Sequence, residues 1–128
     1  MGRAGVVLTE GSMYERLRRR ADIEWDPHLA HAALIYSDSG RDVLAEVHRE
    51  YIAVARAHDL PMLLATATTK ANRERLDRSG FGHRRVNQDN VAFVQSIREA
   101  ASAAGPPLYV GAGIGPKGNA YRPEQALI

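Results

Sequence analysis

Three short stretches carry residues that could do chemistry: "TEGS" at 9–12, "TATT" at 66–69 and "GAGIGPKG" at 111–118. Each follows an apolar run. The first offers the carboxylate of Glu10, the second the hydroxyls of Thr66, Thr68 and Thr69, and the third backbone N–H groups left bare by glycine. A carboxylate can hold an ammonium, and N–H groups with hydroxyls can hold a carboxylate. Together they suit a small zwitterionic ligand. A plainer reading stands beside this one: threonine is a good strand residue, and a lone glutamate at a strand end can be a solvated turn.

Gly113, Gly115 and Gly118 satisfy the spacing G-x-G-x-x-G. That fingerprint holds a pyrophosphate only when a strand feeds a helix N-terminus. Pro116 sits inside the loop and Pro123 follows closely, which leaves no room for a helix between them. The acidic residue expected about 20 positions on would fall beyond residue 128. Lys117 lacks the Walker spacing and a following Ser or Thr. The glycines therefore read as a βα loop in which backbone approaches a ligand or a neighbouring strand closely.

The histidines add little. His28 and His31 lie three apart and could share a face, but no third ligand stands nearby, so no metal site is expected. His48 and His58 fall on a long helix and His83 in a loop. G-x-S-x-G is missing, and no Ser/His/Asp arrangement has supporting context.

The elements that must position these residues follow from patterning. Ala4 to Thr9 is a short apolar run, partly β-branched, and reads as a buried strand. "MYERLRRR" predicts one or two helical turns. Asp26 is placed to cap a short helix with Pro27 at its first position, running to about Ile35. In the longest helical stretch Val43, Val47, Tyr51 and Val54 form one stripe, with Ser39 as cap and Asp42 in a capping-box position. Pro61 ends it, and "PMLLATAT" is a second buried strand. "KANRERLDRSG" makes a short helix closed by Gly80. A last helix is capped by Asn87, lines its inner face with Val91, Val94, Ile97 and Ala101, and stops at Gly105-Pro106. Leu108 to Val110 is the third strand. The order is the βαβαβ grammar of an α/β parallel sheet, in which chemistry gathers at the C-terminal strand ends. Half of a doubly wound sheet and the opening of a (β/α)8 barrel both fit it.

Composition sets the limits. A chain of 128 residues is one domain or a piece of a larger one, and 45% hydrophobic with 25% charged residues is ordinary for a soluble protein. The net charge of +2 arises from 17 basic and 15 acidic residues, nearly balanced. The run "ERLRRR" is basic, but it reads as a solvated helix face, without the interleaved aromatics of single-strand binders. No nucleic-acid partner is expected. Cysteine is absent, which removes disulfides and thiolate zinc sites from this chain and fits a cytoplasmic setting. No apolar run approaches the ~18 residues of a membrane span, and the N-terminus does not read as a signal peptide.

Several landmarks then occur in order: "VLTEGSMYERLRR", "DPHLAHAALIY", "VHREYIAVARAHDLPMLLATATTKANRERL" and "VGAGIGPKGNAYRPEQAL". Together they resemble the N-terminal part of the homocysteine S-methyltransferase family, in a bacterial branch that opens with L-T-E-G in place of D-G-G. The likeness covers nearly the whole chain and rests on order and spacing. It implies the N-terminal portion of a (β/α)8 TIM barrel over residues 1–128, from a zinc-dependent enzyme that methylates homocysteine sulfur. It implies that Glu10 receives the amino group of homocysteine and that Gly11 and Ser12 lie in the loop around the substrate. It further implies that Thr66 and Thr68 form the polar end of the second strand, and that Gly113, Gly115 and Gly118 form the loop after the third. The family's zinc cysteines come from late strands, and this chain has none. Ile128 falls where the helix after the third strand would begin, so the chain looks like the first three-eighths of a barrel.

Three readings follow: a fragment of such an enzyme, a non-catalytic oligomeric binding module derived from the same barrel, and a nucleotide-binding half-domain. On the first two, the purified chain alone does not convert homocysteine to methionine, because nothing in it turns the thiol into a metal-bound thiolate. Zinc-stimulated turnover by this chain would overturn that expectation. A three-stranded unit also leaves sheet edges unpaired, so homo-oligomers are expected in solution. Sedimentation showing a clean monomer at high concentration would count against it.

Overall fold

The computed structural model describes residues 5–119 and 121–126. Three parallel strands form one sheet in the order β1 (Leu8–Thr9), β2 (Met62–Ala65), β3 (Leu108–Gly111). Thr9 pairs with Leu63, and Met62 to Ala65 run in step with Leu108 to Gly111. The α/β class and the βαβαβ order expected from patterning are what the chain adopts.

β1 is shorter than its apolar run. Ala4 lies outside the described residues, and Val6 and Val7 are about half exposed. The cause is the partner strand. The Leu8 N–H reaches the Pro61 carbonyl at 2.9 Å, but Pro61 has no N–H to return and Asp59 takes a turn at φ 52. Nothing remains for earlier residues to pair with.

Between the strands lie α1 (Met13–Leu17), a 3-10 helix (His31–Tyr36), α2 (Asp38–Ala57), α3 (Arg73–Arg78) and α4 (Val86–Ala100). The Asp26 side chain accepts from the N–H groups of His28 and Leu29 at 2.8 and 2.7 Å, as a cap should. The α-helix expected from Pro27 does not follow. Ala30 sits at φ 52 and interrupts the coil, which resumes at His31 with 3-10 geometry. α2 is capped by Ser37, whose hydroxyl accepts from Gly40 N–H at 3.1 Å, and not by Ser39. Gly40 is required there because a Cβ would run into the Leu34 carbonyl. α4 starts one residue before Asn87, whose amide instead donates to Ala71 O at 3.0 Å and ties α4 to the loop after β2. α3 ends at Ser79, with its hydroxyl on Leu76 O, one residue ahead of the expected Gly80.

The α2 stripe is also rotated. Val43 and Val47 are buried and Tyr51 half-buried, but Val54 is 51% exposed. Leu44, His48, Ile52 and Ala55 are buried as well, because the sheet and α4 pack on Ile52 and Ala55 while α1 and the 3-10 helix pack on Leu44. On α4, Val94 and Ile97 are buried as expected, while Val91 and Ala101 are only partly covered.

Met62 and Leu64 point into the principal core with Ala45, Ile52 and Ala55 of α2 and Val94 and Ile97 of α4. Alternation places Leu63 on the opposite face, in one row with Thr9 and Tyr109, and Tyr109 is 47% exposed. The strands were expected to be buried on both faces; α2 and α4 cover one. Two smaller clusters join α1 to α2 through Leu17, Leu34 and Leu44, and join α3 to α4 through Leu29, Leu76 and Val86. Asn90, fully buried, donates to the carbonyls of Ala32 and Val86 and fixes the 3-10 helix to α4.

His31 belongs to this packing. It is 5% exposed and stands beside the rings of Tyr14 and Trp25, with centroids 5.9 and 6.0 Å away. Burial, with the Lys70 charge adding to it, lowers its pKa from 6.5 to about 4. Among the described residues no group of three His, Cys, Asp or Glu side chains is arranged to hold a metal. In the unfolded chain the imidazole takes a proton below its ordinary value, and in the folded chain only below about 4. Between those values acid favours the unfolded state, so stability is lost as pH falls through the window and levels off beneath it. The loss is expected to reach about 3 kcal/mol. Urea unfolding of wild type and His31→Phe at pH 7 and pH 4.5 checks this: the variant should lose markedly less stability on acidification.

Candidate functional site

The C-terminal ends of the three strands lie side by side, because parallel pairing in register leaves them no alternative. Thr9 opposite Leu63 puts Glu10 level with Leu64, two residues short of Thr66.

At the first end the Glu10 side chain turns inward and is 2% exposed. Its Oε1 lies 2.7 Å from Nδ1 of His48, itself 2% exposed, on the buried face of α2. A carboxylate can only accept, so His48 Nδ1–H donates. Oε2 is buried and has no hydrogen-bond partner among the described residues. The next residue, Gly11, passes close to Tyr51, one turn beyond His48: a Cβ there would sit 2.7 Å from the Tyr51 hydroxyl. Ser12 spends its hydroxyl as the cap of α1, accepting from Glu15 N–H at 3.2 Å.

The second and third ends form a closed circuit. Thr68 donates to Gly113 O at 2.7 Å. Its Oγ1 is 2.7 Å from that of Thr66, and since the Thr68 proton is committed, Thr66 is the donor of that bond. Gly113 N–H completes the ring by donating to Thr66 Oγ1 at 3.4 Å. Both threonines are buried, at 4% and 5%. Their hydroxyl protons are thus used within the protein, and what they do is hold the loop after β3 against the end of β2. Gly115 belongs to the same contact, since a Cβ would run into Thr69 O. Asn72 adds a bond to Pro116 O at 3.0 Å. Among the described residues the loop leads to a three-residue 3-10 turn, Pro123–Gln125, and not to the helix that a pyrophosphate loop requires.

Beside the loop a cavity of about 500 Å³ is lined by Lys70, Arg75, Ile114, Gly115 and Tyr121 among others. Of the residues expected to bind ligand, Gly115 lines it. Glu10, Gly11 and Ser12 gather at one strand end, and Thr66, Thr68, Gly113 and Gly115 at the next two. His48, the partner of Glu10, is the residue of this cluster that sequence reasoning missed. The signal was present: at i+4 from Leu44 and i−4 from Ile52 it lies on an apolar helix stripe, where a histidine needs a partner.

No helix among the described residues is long and apolar enough to cross a membrane. Neither a curated protein nor a solved structure gave a significant match. The family model described as homocysteine S-methyltransferase matches residues 7–126, a span that takes in all three strands and every residue of the strand-end cluster. On that match, the chain belongs to the homocysteine S-methyltransferase family.

Proposed function

We propose that this chain supplies the amino-acid-binding front of a homocysteine S-methyltransferase barrel, with Glu10 as the acceptor for the ligand's ammonium. One observation carries the reading: a buried carboxylate whose first oxygen is held by His48 while the second is unpartnered. An unpaired buried carboxylate oxygen is costly. A substrate ammonium removes that cost with a charge-assisted hydrogen bond. Oε2 is itself covered, so what covers it must move aside for a ligand while the Oε1 bond to His48 holds Glu10 in place. The N–H groups of the 111–118 loop, braced by Thr66 and Thr68, are suited to the ligand's carboxylate.

Zinc, which the family resemblance implies, would supply the thiolate chemistry. The residues present do not fit it: the chain has no cysteine, and no three His, Asp or Glu side chains of the described residues converge. This chain alone therefore binds without turnover.

The second reading, an oligomeric binding module, is favoured by the row Thr9–Leu63–Tyr109, which faces away from α2 and α4. A row with a half-exposed tyrosine and a partly covered leucine beside two sheet edges is a surface on which another copy can pack.

Titration calorimetry of the purified chain with L-homocysteine tests the first reading. Binding should weaken at least tenfold in Glu10→Gln, ~1.4 kcal/mol, with the fold intact by circular dichroism. Equal affinity of the two proteins would remove Glu10 from the site. Heat on adding a nucleotide, with none from homocysteine, would revive the phosphate-loop reading.

A further inference from the structure

The buried face of α2 carries a second polar group pressed against the first strand end, one turn from His48. His48 and Tyr51 are three residues apart and meet consecutive residues of the same turn, Glu10 and Gly11. α2 thus holds the turn by a hydrogen bond at one residue and by close packing at the next. α2 is a 20-residue helix built into the principal core, so it is a rigid platform.

We propose that His48 is a positioning residue: it fixes Glu10 through Oε1 so that Oε2 is the oxygen offered to the ligand's ammonium. The inference rests on the amino-acid-binding reading above. A carboxylate free to rotate would present either oxygen in several directions and lose entropy on binding. With Oε1 anchored at 2.7 Å on a buried imidazole, that freedom is already gone. The choice of histidine follows from the same geometry. A short side chain ending in an N–H at the δ position is needed; a lysine would bring a full charge and a flexible stem, and an apolar residue would leave both carboxylate oxygens unpaired in the interior. The rival account makes the pair a staple between β1 and α2, with no consequence for ligand choice.

Two ligands separate the accounts: L-homocysteine, and 4-mercaptobutyrate, which is the same molecule without the amino group. Calorimetry on the full chain measures the preference for the first over the second. Wild type should prefer homocysteine, and Glu10→Gln should lose that preference. His48→Leu should cut the preference at least tenfold while its affinity for 4-mercaptobutyrate stays that of wild type. His48→Asn, whose amide N–H occupies nearly the place of Nδ1, should restore most of the preference. If His48→Leu does not fold, His48→Gln serves, because its amide falls at the place of Nε2 and should not restore it.

Retention of the full preference in His48→Leu, or in His48→Gln, with Glu10→Gln still losing it, would overturn the positioning role and leave the binding reading standing. Equal weakening of both ligands would also overturn it, in favour of the staple. Wild type that shows no preference at all would sink the binding reading itself, and this inference with it.

Discussion

Met62 and Leu64 are the two side chains on which the sheet, α2 and α4 all close, at 1% and 0% exposure. They lie on β2, the strand with neighbours on both sides. Because parallel strands need long crossovers, the helices between them must return across the sheet, and here α2 and α4 return onto the face that Met62 and Leu64 present. That fixes the register of β1 and β3 against β2. The register in turn brings Glu10, Thr66 and Gly113 to one end of the molecule, although they are far apart in the chain. The site is therefore a consequence of core packing at one strand.

The two polar clusters at that end solve burial differently. In the threonine circuit every donor meets an acceptor, from Gly113 N–H through Thr66 and Thr68 back to Gly113 O. A fully satisfied buried network rigidifies what it joins, here the loop after β3 against β2. The Glu10–His48 pair is not satisfied, since Oε2 has nothing. Two networks of similar depth thus differ: the closed one holds a loop, and the open one keeps a buried oxygen free, the feature on which the proposed ligand contact rests.

How far the sequence disclosed this depended on whether the signal was local. The strand order, the α4 core residues Val94 and Ile97 and the close approach of the glycine loop all follow from patterns within a few residues. Helix starts were misplaced by one or two residues where several capping residues stand together, as in Ser37, Asp38 and Ser39. Ser37 wins because the 3-10 helix before it ends there, and Gly40 lets the two coils touch. Two apolar stripes could be read on α2, because Val54 and Ile52 are equally apolar and only tertiary contact chooses between them. His48 was missed for the same reason: its partner is 38 residues away, and helix periodicity alone cannot name it.

The roles of Gly11 and Ser12 can also be understood in these terms. Gly11 has no room for a side chain, because a Cβ would strike the Tyr51 hydroxyl. Ser12 caps α1, a contact typically worth ~1 kcal/mol. α1 has five residues, too few to be stable in isolation, so a cap at its start counts for more than it would on a long helix. Leu17, fully buried at the other end of α1, packs against α2 in the cluster that contains Leu44 and Val47, the neighbours of His48. Ser12 thus stabilises the helix that leans on α2, and α2 is the element that holds Glu10.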